Sequence, residues 1–410
     1  MSRKDEDAEF QAQVAAWLFD KMNFKQEQIA EHLGIKQPDV SRRLKLAEER
    51  GWLSRPTFRR GADISDQRMQ EIEAAFYQGL PELRHRIERL SRKRRPLDPA
   101  PEVHVFYSGP TATDKAGYHK RQQLFGWNAA LYVKELIPKM RRIGVAWGKT
   151  IARLIDGLEP LNPRFEKGTL FFPVSGEPLR GHGEENSATA LASSLQAFVE
   201  GGPHQGPGLN MIIPCIPDRF NQAVTDEIKQ SLLGQVEGYR RIFLGGPPEG
   251  RLIDEMDTLI TGVGTASKTS TDPWLIERVN AMCDDPPLTR EDVEAYTFGD
   301  IGGVYLVRPE LAALIARRTA RSSGAGGAAR ERVAVVEAKI ERINTQWTGI
   351  QREHAAKCAE RGFSQKAVGV IVLAIGRAKS EIIIEAVNQS LVNHLLIDQD
   401  LADALLDDLG

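Results

Sequence analysis

The amino-acid sequence predicts two unlike parts: an N-terminal all-α headpiece and a C-terminal α/β domain with a Rossmann-like parallel sheet. Before residue 102, apolar side chains recur at the three- and four-residue spacing of amphipathic helices. After it, short apolar runs that end in glycine or a small polar residue alternate with helical segments, as in a buried parallel sheet. We therefore expect a headpiece at residues 1–60, a helical and basic linker at 61–101, and the α/β domain at 102–410.

The headpiece is expected to consist of three helices. Glu9–Met22 has an apolar stripe at helical spacing. Phe24–Trp52 indicates two short helices, and Gly34 lies at the break between them, where glycine tolerates a left-handed backbone. Pro38 falls in the first turn of the second helix, where its missing N–H costs nothing. This spacing predicts a helix-turn-helix that packs on the first helix.

The second helix of this pair has polar donors in its first turns. A helix-turn-helix places its second helix in the major groove of double-stranded DNA, with N-terminal residues at base edges and other donors on phosphates. The alternative is a small helical hairpin with a solvated basic face. The glycine at the turn and the donors that follow it favour DNA binding. The predicted contacts to bases are Gln37, Asp39, Ser41 and Arg42, and the predicted contacts to phosphates are Arg43 and Lys45.

The predicted linker contains a dense basic run. Ile64–Leu90 indicates one or two helices, and Arg84–Arg95 (RHRIERLSRKRR) is followed by several prolines. Like-charge blocks beside prolines are typical of linkers. The alternative is an auxiliary contact with DNA phosphates. That alternative predicts a flatter salt dependence of DNA binding when the basic residues are replaced, because each neutralised phosphate releases counterions.

The α/β domain is expected to have a strand at each of its apolar runs. Ligands of open parallel sheets bind outside the carboxyl ends of the strands, so the residues that end these runs are candidates for a binding site. A small, glycine-rich segment and the helical stretch after it interrupt the alternation and predict an insertion at 318–341. The runs are VHVFYSG, RRIGVAWG, TLFFPVSG, LNMIIPCIP, YRRIFLGG, TLITGVG, GVIVLAIG and NHLLIDQD.

Composition limits the class of protein. The chain has 410 residues and a formal net charge of −2, so contact with nucleic acid has to come from local clusters of basic residues. The 3 cysteines show no CxxC or Cys/His spacing, which argues against a disulfide framework and a zinc site. The charged N-terminus MSRKDEDAEF and the lack of a long apolar run argue against a secretory signal and a membrane span. We expect a cytoplasmic protein with no cofactor and no membrane contact.

The strongest candidate for an anion site is the loop GVAWGKT at Gly144–Thr150. Gly148 allows close approach, Lys149 supplies charge, and Thr150 is a donor at a predicted helix N-terminus, where N–H groups and the helix dipole favour phosphate. The loop is not the GxxxxGK[ST] loop of nucleotide hydrolases, because Ile143 stands where that motif has its first glycine. Nucleoside triphosphates are therefore not expected as ligands.

Other loops at the predicted strand ends offer similar groups. Each of them alone is weak evidence, since glycine and small polar residues also make good turns. Together they supply several anion-friendly corners, a carboxylate, and hydroxyl and amide groups, which suits a phosphorylated polyol better than a flat aromatic cofactor. These loops are Val174–Gly176 with Asn186 and Ser187, Gly262–Lys268, Ala374–Lys379, and Asp300 in FGDIGG.

Motifs for catalysis are sparse. The sequence has neither an HExxH pattern nor a GxSxG elbow. His182, Glu184 and Glu185 beside Asn186 offer acid–base groups, but a solvated loop is the more typical interpretation of such a cluster.

Taken in order along the chain, these motifs resemble the SorC family of sugar-binding transcriptional regulators, also grouped with the deoxyribonucleoside regulator type. The resemblance implies a C-terminal domain with the fold of sugar-phosphate isomerases and deaminases, which binds a phosphorylated sugar and forms a homodimer or homotetramer. Tyr107–Trp127 and the insertion at 318–341 depart from the family pattern. The matching segments cover most of the chain and are QEQIAEHLGIKQPDVSRRLKLAEERGWL, RIGVAWGKTIARLIDGL, ITGVGTAS, GDIGG and VLAIGRAKSEIIIEAVNQSLVNHLLIDQDLADALL.

The resemblance also assigns residues. The deaminase relatives have a catalytic segment after the GxG glycine, where this chain has Thr265, Ala266 and Ser267, so we expect a sensor and not an enzyme. The expected function is a repressor or activator of a carbohydrate operon, with effector-induced release from DNA. Two alternatives are an isomerase- or deaminase-like enzyme with an appended headpiece, and a DNA-binding protein whose α/β domain serves only oligomerisation. The implied phosphate loop is Gly148, Lys149 and Thr150, and the implied sugar or phosphate contacts are Gly264, Thr265, Asp300 and Lys379.

Overall fold

A computed structural model of the chain describes residues 3–22, 24–54, 57–58, 65–111, 114–175, 186–200, 216, 221–246, 250–265, 289–308, 336, 338–339 and 342–410. The described part contains a small, mainly helical N-terminal unit and a parallel sheet whose strands are connected by helices. Buried apolar side chains form one cluster that runs from the N-terminal helices into the sheet. None of the described helices is long and apolar enough to span a membrane.

The N-terminal unit begins with the three predicted helices: α1 (Arg3–Lys21), α2 (Gln26–Leu33) and α3 (Gln37–Glu49). Gly34 ends α2 in the left-handed conformation, with φ of +62°, and α3 begins after a three-residue turn. The prediction of an all-α headpiece is wrong in one respect, because β1 (Leu53–Ser54) and β2 (Thr57–Phe58) form a short antiparallel pair after α3. The chain turns back there because Trp52 and Leu53 are buried in the core of the unit.

Two helices connect this unit to the sheet, as the sequence predicted: α4 (Asp66–Phe76) and α5 (Leu80–Ser91). Ser65 caps α4, since its hydroxyl accepts a hydrogen bond from the Arg68 N–H at 3.1 Å. Helix α4 contacts α1, whereas α5 packs against the last two helices of the chain. Leu83 and Ile87 of α5 are fully buried in that contact region.

The sheet contains six parallel strands in the spatial order β3, β10, β9, β6, β4, β5, and a hairpin of β7 and β8 extends it. The end of β6 pairs antiparallel with β7. Every residue of β9 and β10 is buried, which explains why their sequences are continuous apolar runs. The strands are β3 (Glu102–Phe106), β4 (Arg142–Val145), β5 (Leu170–Pro173), β6 (Thr258–Gly264), β7 (Thr297–Ile301), β8 (Val304–Val307), β9 (Gly369–Ala374) and β10 (His394–Asp398).

Helices follow most of these strands. Helix α6 lies between β3 and β4, α7 follows β4, and α14 follows β9. The last helix, α15, begins at the carboxyl end of β10. The helices are α6 (Lys115–Leu136), α7 (Lys149–Leu158), α8 (Ala188–Gln196), α9 (Gln222–Glu227), α10 (Glu237–Tyr239), α11 (Leu252–Glu255), α12 (Arg290–Tyr296), α13 (Arg352–Phe363), α14 (Ser380–Asn388) and α15 (Gln399–Asp408).

One predicted strand is wrong, because the run YRRIFLGG is helical. Tyr239 ends α10, and Arg240–Leu244 continues as a turn of π-helix. Tyr239, Ile242 and Phe243 are buried while Arg240 is exposed, so the buried positions follow a helical spacing. A short apolar run fits the residue spacing of a strand as well as that of a helix, so the pattern alone does not distinguish the two here. The run LNMIIPCIP lies outside the described residues except for position 216, and the predicted insertion except for 336 and 338–339.

Candidate functional site

The carboxyl ends of the parallel strands lie along one side of the sheet, which we call the carboxyl edge. Adjacent strands are about 4.8 Å apart, so the ends of β9, β6 and β4 are close neighbours. The structure places all the predicted effector-binding residues on this edge. Gly148, Lys149 and Thr150 follow β4, Gly264 and Thr265 lie at the end of β6, Asp300 lies on β7, and Lys379 follows β9.

The loop between β4 and α7 is open above a helix N-terminus. Gly148 has φ of +134°, which disfavours any other residue, and a Cβ atom there would meet nothing within 4 Å. Its N–H donates to the carbonyl oxygen of Asn186 at 3.2 Å. Lys149 is half-buried and Thr150 is buried in the first turn of α7, where backbone N–H groups lack helical partners. The loop therefore combines space, backbone donors and a cation, which are the components of an anion site.

Asp300 is buried at the junction of β6 and β7. It pairs with Gly264 across the two strands, and its Oδ2 accepts a hydrogen bond from the Gly303 N–H at 2.9 Å. In the same turn the Gly302 carbonyl accepts from Ser175 Oγ at 2.9 Å, which fixes the turn to the end of β5. The carboxylate thus shapes the hairpin, a role that the sequence did not indicate. Its contact with sugar hydroxyls stays a prediction.

The corner between β9 and α14 resembles the one after β4. Gly376 has φ of +90°, and a Cβ atom at this position would also meet nothing within 4 Å. Its N–H donates to Asp398 Oδ1 at 3.0 Å. The Lys379 N–H donates to the Gly376 carbonyl at 3.2 Å and closes a single 3₁₀ turn before α14 begins at Ser380.

A buried ion pair lies beside this corner, and sequence reasoning missed it. One Arg121 nitrogen lies 2.5 Å from Asp398 Oδ2, and a second lies 2.7 Å from Asp400 Oδ2. Ser108 Oγ donates to the same Asp398 oxygen at 3.1 Å. Burial raises the pKa of the Asp398 carboxyl, whereas the charge of Arg121 and two backbone N–H groups oppose this rise. The network connects the end of β3 to the Gly376 corner through Asp398.

Besides the predicted effector-binding residues, two polar atoms on the carboxyl edge are buried and have no hydrogen-bond partner among the described residues. They are Asn186 Oδ1, next to Gly148, and Ser380 Oγ, at the start of α14. Buried polar groups of folded proteins are nearly always hydrogen-bonded, so an atom without a partner indicates a ligand or an ordered water. We therefore keep Asn186, which the sequence already placed in a candidate loop, and add Ser380 to the candidate site.

No metal-binding arrangement is evident in the described ranges. Among their His, Cys, Asp and Glu side chains, no group of three could hold a metal ion. Cys358 is buried, and burial raises the pKa of its thiol. Several of the predicted positions lie outside the described residues, namely His182, Glu184, Glu185, Gly176 and 266–268.

The predicted DNA-binding face of α3 is largely exposed. Gln37, Ser41 and Lys45 are exposed at four-residue spacing, so they lie on one side of the helix. Arg42 is also exposed and forms an ion pair with Asp39 at 2.6 Å, one turn earlier on the same helix. The surface therefore presents amide, hydroxyl, carboxylate and cationic groups together.

Arg43 differs from the other predicted contacts. It is half-buried, and its Nε donates to Gln11 Oε1 on α1 at 3.2 Å. The side chain is therefore held against the first helix and is less available to DNA than Arg42.

The arginines of the basic run contact the protein itself. Arg84 lies 2.7 Å from a Glu73 carboxylate oxygen and donates to the Val103 carbonyl at 2.9 Å. Arg86 donates to the Leu406 carbonyl at 2.6 Å. The linker and phosphate-contact interpretations of the run both stay predictions. The further contacts of its arginines are Arg89 with the Leu409 carbonyl, Arg92 with Glu88, and Arg95 with Asp98 and Glu360.

No family model matches the chain. Over 186 residues, or 45% of the chain, it is 27% identical to the deoxyribonucleoside regulator of Bacillus subtilis (strain 168). The match spans 48% of that protein, or about half its length. Among solved structures, the chain is similar to a transcriptional regulator from Streptococcus pneumoniae TIGR4, with 16% identity, a TM-score of 0.51, and 81% of this chain and 100% of that chain covered.

A second solved structure is similar over the whole length. It is the full-length sorbitol operon regulator SorC from Klebsiella pneumoniae, with 16% identity, a TM-score of 0.46, and 98% of this chain and 99% of that chain covered. At 16% identity, the structure from Streptococcus pneumoniae TIGR4 is evidence for the fold and not for the ligand. These names agree with the resemblance that the motifs predicted: the chain is similar to a deoxyribonucleoside regulator, a transcriptional regulator and the sorbitol operon regulator SorC.

Proposed function

We propose that the protein is a transcriptional regulator of a carbohydrate operon and that a phosphorylated sugar bound at the carboxyl edge controls its binding to operator DNA. One observation supports this more than any other. Two open glycine corners, at Gly148 and Gly376, each lead into a helix and each have a lysine beside them, Lys149 and Lys379. They follow strands β4 and β9, which are separated in the sheet by β6.

The spacing of these corners suits a small polar anion. Two strand spacings place the ends of β4 and β9 about 10 Å apart. The end of β6 between them supplies Thr265, and the paired strand β7 supplies Asp300. A ligand whose phosphate lies at the α7 N-terminus meets hydrogen-bond donors there. Its hydroxyl groups then lie near the hydroxyl of Thr265 and the carboxylate of Asp300. Asn186 and Ser380 extend the same set of polar groups.

The exposed face of α3 is the proposed DNA-reading surface. Gln37, Asp39, Ser41 and Arg42 contact base edges, and Lys45 and Arg43 contact phosphates, with Arg43 released from Gln11 on binding. A homodimer or homotetramer presents two copies of α3 to half-sites one helical turn apart, about 34–36 Å. Two copies are needed because the described part of each chain supplies one such helix, and the sequence as a whole has a net charge of −2.

Effector and operator are connected through a short chain of contacts. The Phe24 and Tyr107 rings meet edge-on at 4.6 Å, and Gln28 Nε2 donates to Tyr107 Oη at 3.2 Å. The next residue, Ser108, donates to Asp398, which in turn accepts from the N–H of the Gly376 corner. A ligand that moves the Gly376 corner therefore changes, through Asp398, Ser108 and Tyr107, how α2 packs against the α/β domain. We propose that it favours the arrangement with lower operator affinity, since regulation requires differential affinity for two states.

A thermal-shift titration of the full chain with phosphorylated sugars and their unphosphorylated counterparts tests the effector site. A ligand that binds only the folded state raises the unfolding midpoint, with about 2.7 kcal/mol of stabilisation at one hundred times its Kd. We expect a shift with a phosphorylated sugar, and Lys149→Ala weakens its binding by about 10-fold or more because a charge-assisted hydrogen bond is lost. Lys167→Ala is the matched control, since Lys167 is exposed just before β5, at the opposite end of the strands.

Two outcomes would contradict the effector proposal. If no phosphorylated sugar shifts the midpoint at millimolar concentration while the protein binds its operator, the α/β domain serves oligomerisation alone. Turnover of a sugar phosphate by the purified protein would instead support the enzymatic alternative.

A further inference from the structure

The last helix of the chain, α15, carries three aspartates on one face. Asp400, Asp403 and Asp407 are spaced three and four residues apart, which places their side chains along one side of the helix. Each carboxylate has a partner on a different element, so this acidic face joins three parts of the molecule. The partners are Arg121 of α6 for Asp400, Tyr77 directly after α4 for Asp403, and Arg377 of the Gly376 corner for Asp407.

The ion pair between Arg377 and Asp407 is open to solvent. The Arg377 side chain is 55% exposed and that of Asp407 is 66% exposed. Exposed ion pairs stabilise a fold only weakly, because water and salt screen them, so another anion can replace the carboxylate. The planar guanidinium group binds phosphate in the same way as carboxylate, through paired hydrogen bonds. Arg377 directly follows Gly376, where a Cβ atom would meet nothing within 4 Å, so a phosphate in this corner has a second cation besides Lys379.

Withdrawal of Arg377 would alter the charge balance around Tyr77. Asp403 and Asp407 lie one turn apart on α15, and like charges at this spacing repel each other. Tyr77 is buried, and its Oη donates to Asp403 Oδ1 at 2.6 Å. Burial, the hydrogen bond to Asp403 and the charge of Asp407 raise the pKa of Tyr77, whereas the charge of Arg377 opposes this rise. Tyr77 is therefore within electrostatic reach of both members of the exposed pair.

Helix α15 is packed closely against the residues that join α4 to α5. A Cβ atom at Gly79, just before α5, would lie 2.8 Å from Leu406 Cδ1, so there is almost no space between the two elements. Close-packed elements move together, because a gap between them would cost contacts. Helix α4 contacts α1, and α1 contacts α3, the helix proposed to read DNA. A shift of α15 relative to Tyr77 is therefore passed to the N-terminal unit.

We propose that the Arg377–Asp407 ion pair is a switch that an anionic ligand opens. A phosphate group in the Gly376 corner takes Arg377 from Asp407, and the uncompensated carboxylates of α15 then weaken its contact with Tyr77 and α5. The ligand class is a phosphorylated small molecule, since an uncharged sugar does not compete with a carboxylate for the guanidinium charge. The inference rests on the proposed effector site and adds a second route from it to the N-terminal unit, besides the contacts through Tyr107.

Hydrogen exchange of the full-length protein tests the switch, with inorganic phosphate as the probe and chloride at the same ionic strength as the reference. We expect phosphate to speed exchange of the backbone N–H groups of α5 by about 2- to 5-fold, the range that corresponds to an exposed ion pair. Arg377→Ala lacks the pair, so its α5 exchanges at the faster rate with or without phosphate. If phosphate has no effect on α5 in the unchanged protein, the proposal is overturned, and this comparison requires no variant to fold.

Substitutions on α15 measure the competition for Arg377. Asp407→Asn should tighten phosphate binding in titration calorimetry by about 2- to 5-fold, because Arg377 is no longer held by a carboxylate. Asp408→Asn removes the same charge from the next residue, which is also exposed, and should leave the affinity unchanged. The gain should vanish when Asp407→Asn is combined with Arg377→Ala, since the two side chains then no longer interact.

The outcomes distinguish the switch from the effector site. If Lys149→Ala weakens binding of a sugar phosphate but Asp407→Asn binds phosphate no more tightly than Asp408→Asn, the switch is wrong and the effector site stands. Absence of phosphate binding at millimolar concentration also overturns the switch. The effector site itself is tested separately, by the thermal-shift titration with phosphorylated sugars.

Discussion

Helix α3 and the basic run at Arg84–Arg95 are both rich in cations, but their surroundings differ. In α3, Arg42 and Lys45 have side chains that are 75% and 77% exposed, and their ion-pair partners lie on the same helix. In the run, Arg84 and Arg86 are 30% and 23% exposed. Arg84 binds oxygens of Glu73 and Val103, and Arg86, which also pairs with Glu82 on its own helix, binds the distant Leu406 carbonyl. Exposed pairs are worth about 0–1 kcal/mol, so those of α3 exchange readily for phosphate, whereas the contacts of Arg84 and Arg86 are structural.

The comparison shows why charge density in a sequence is a poor guide to a nucleic-acid site. The run has more arginines than α3, yet most of them are committed to the protein. Their partners include the carbonyls of Leu406 and Leu409, which lie 320 residues further along the chain. In α3, by contrast, the ion pairs of Arg42 and Lys45 are with residues of the same helix and are weak.

Arg42→Ala should weaken binding to the operator by about 5- to 150-fold, the range that corresponds to the loss of a base contact worth 1–3 kcal/mol. Arg86→Ala is the matched control in the basic run and should leave the affinity of the folded protein unchanged. Fluorescence anisotropy with a labelled operator fragment measures both. An Arg86→Ala variant that binds as weakly as Arg42→Ala would reverse the comparison.

Arg84→Ala should lower the free energy of unfolding by about 1–3 kcal/mol, because it leaves the Glu73 carboxylate and the Val103 carbonyl without their donor. Arg92→Ala should cost no more than about 0.5 kcal/mol, since Arg92 pairs with Glu88 one turn away and is 60% exposed. Urea unfolding followed by circular dichroism measures the shift in midpoint. Equal effects of the two substitutions would show that burial does not separate the arginines of the run.

The salt dependence of operator binding distinguishes the two stretches directly. Replacing Arg42 and Lys45 with alanine should reduce the slope of log Kd against log salt by up to about 0.9 for each lost phosphate contact. Replacing Arg92, Lys93, Arg94 and Arg95 together should leave the slope unchanged if the run is a linker. A flatter slope for the fourfold variant would assign the run to the DNA interface.

Lowering the pH tests the contribution to stability of a buried histidine, His354, that lies outside both basic stretches. His354 is buried in α13, its Nδ1 accepts from the Gln351 N–H at 3.1 Å, and burial lowers its pKa below the usual 6.5. The folded state then binds fewer protons than the unfolded state, so this contribution to stability is present above about pH 6.5 and is lost as the pH falls. Thermal unfolding between pH 8 and 5 should show a smaller acid-induced loss for His354→Gln. Parallel curves for the two proteins would contradict the assignment.

Much of the fold followed from the sequence, and the exceptions have physical causes. Continuous apolar runs predicted β9 and β10 correctly because both strands are buried on both faces. The prediction of a strand at Tyr239–Gly246 is wrong because the spacing of its apolar residues fits a helix equally well. The pair β1 and β2 depends on burial of Trp52 and Leu53, which local spacing does not reveal.

The position of the candidate site could be predicted from the sequence, but the contacts that hold its residues in place could not. Strand-end glycines and lysines were visible in the sequence because the carboxyl ends of parallel strands collect on one edge. The ion pair of Arg121 and Asp398 was not, since the two residues are 277 positions apart. The only available signal was Asp398 itself, a carboxylate at the end of an apolar run. The second role of Asp300, holding the Gly303 N–H, likewise depends on a hairpin that the sequence did not predict.

Control of operator binding by the effector is tested by measuring the affinity for DNA upstream of the protein's own gene. The titrant is a phosphorylated sugar that raises the unfolding midpoint. We predict that the sugar weakens binding of the unchanged protein to the operator by about 5- to 150-fold, a coupling of about 1–3 kcal/mol. The unphosphorylated sugar should have no effect, and Lys149→Ala should need at least about 10-fold more ligand for the same change. Operator affinity that stays constant at a saturating concentration of a sugar phosphate that binds the protein would contradict this prediction.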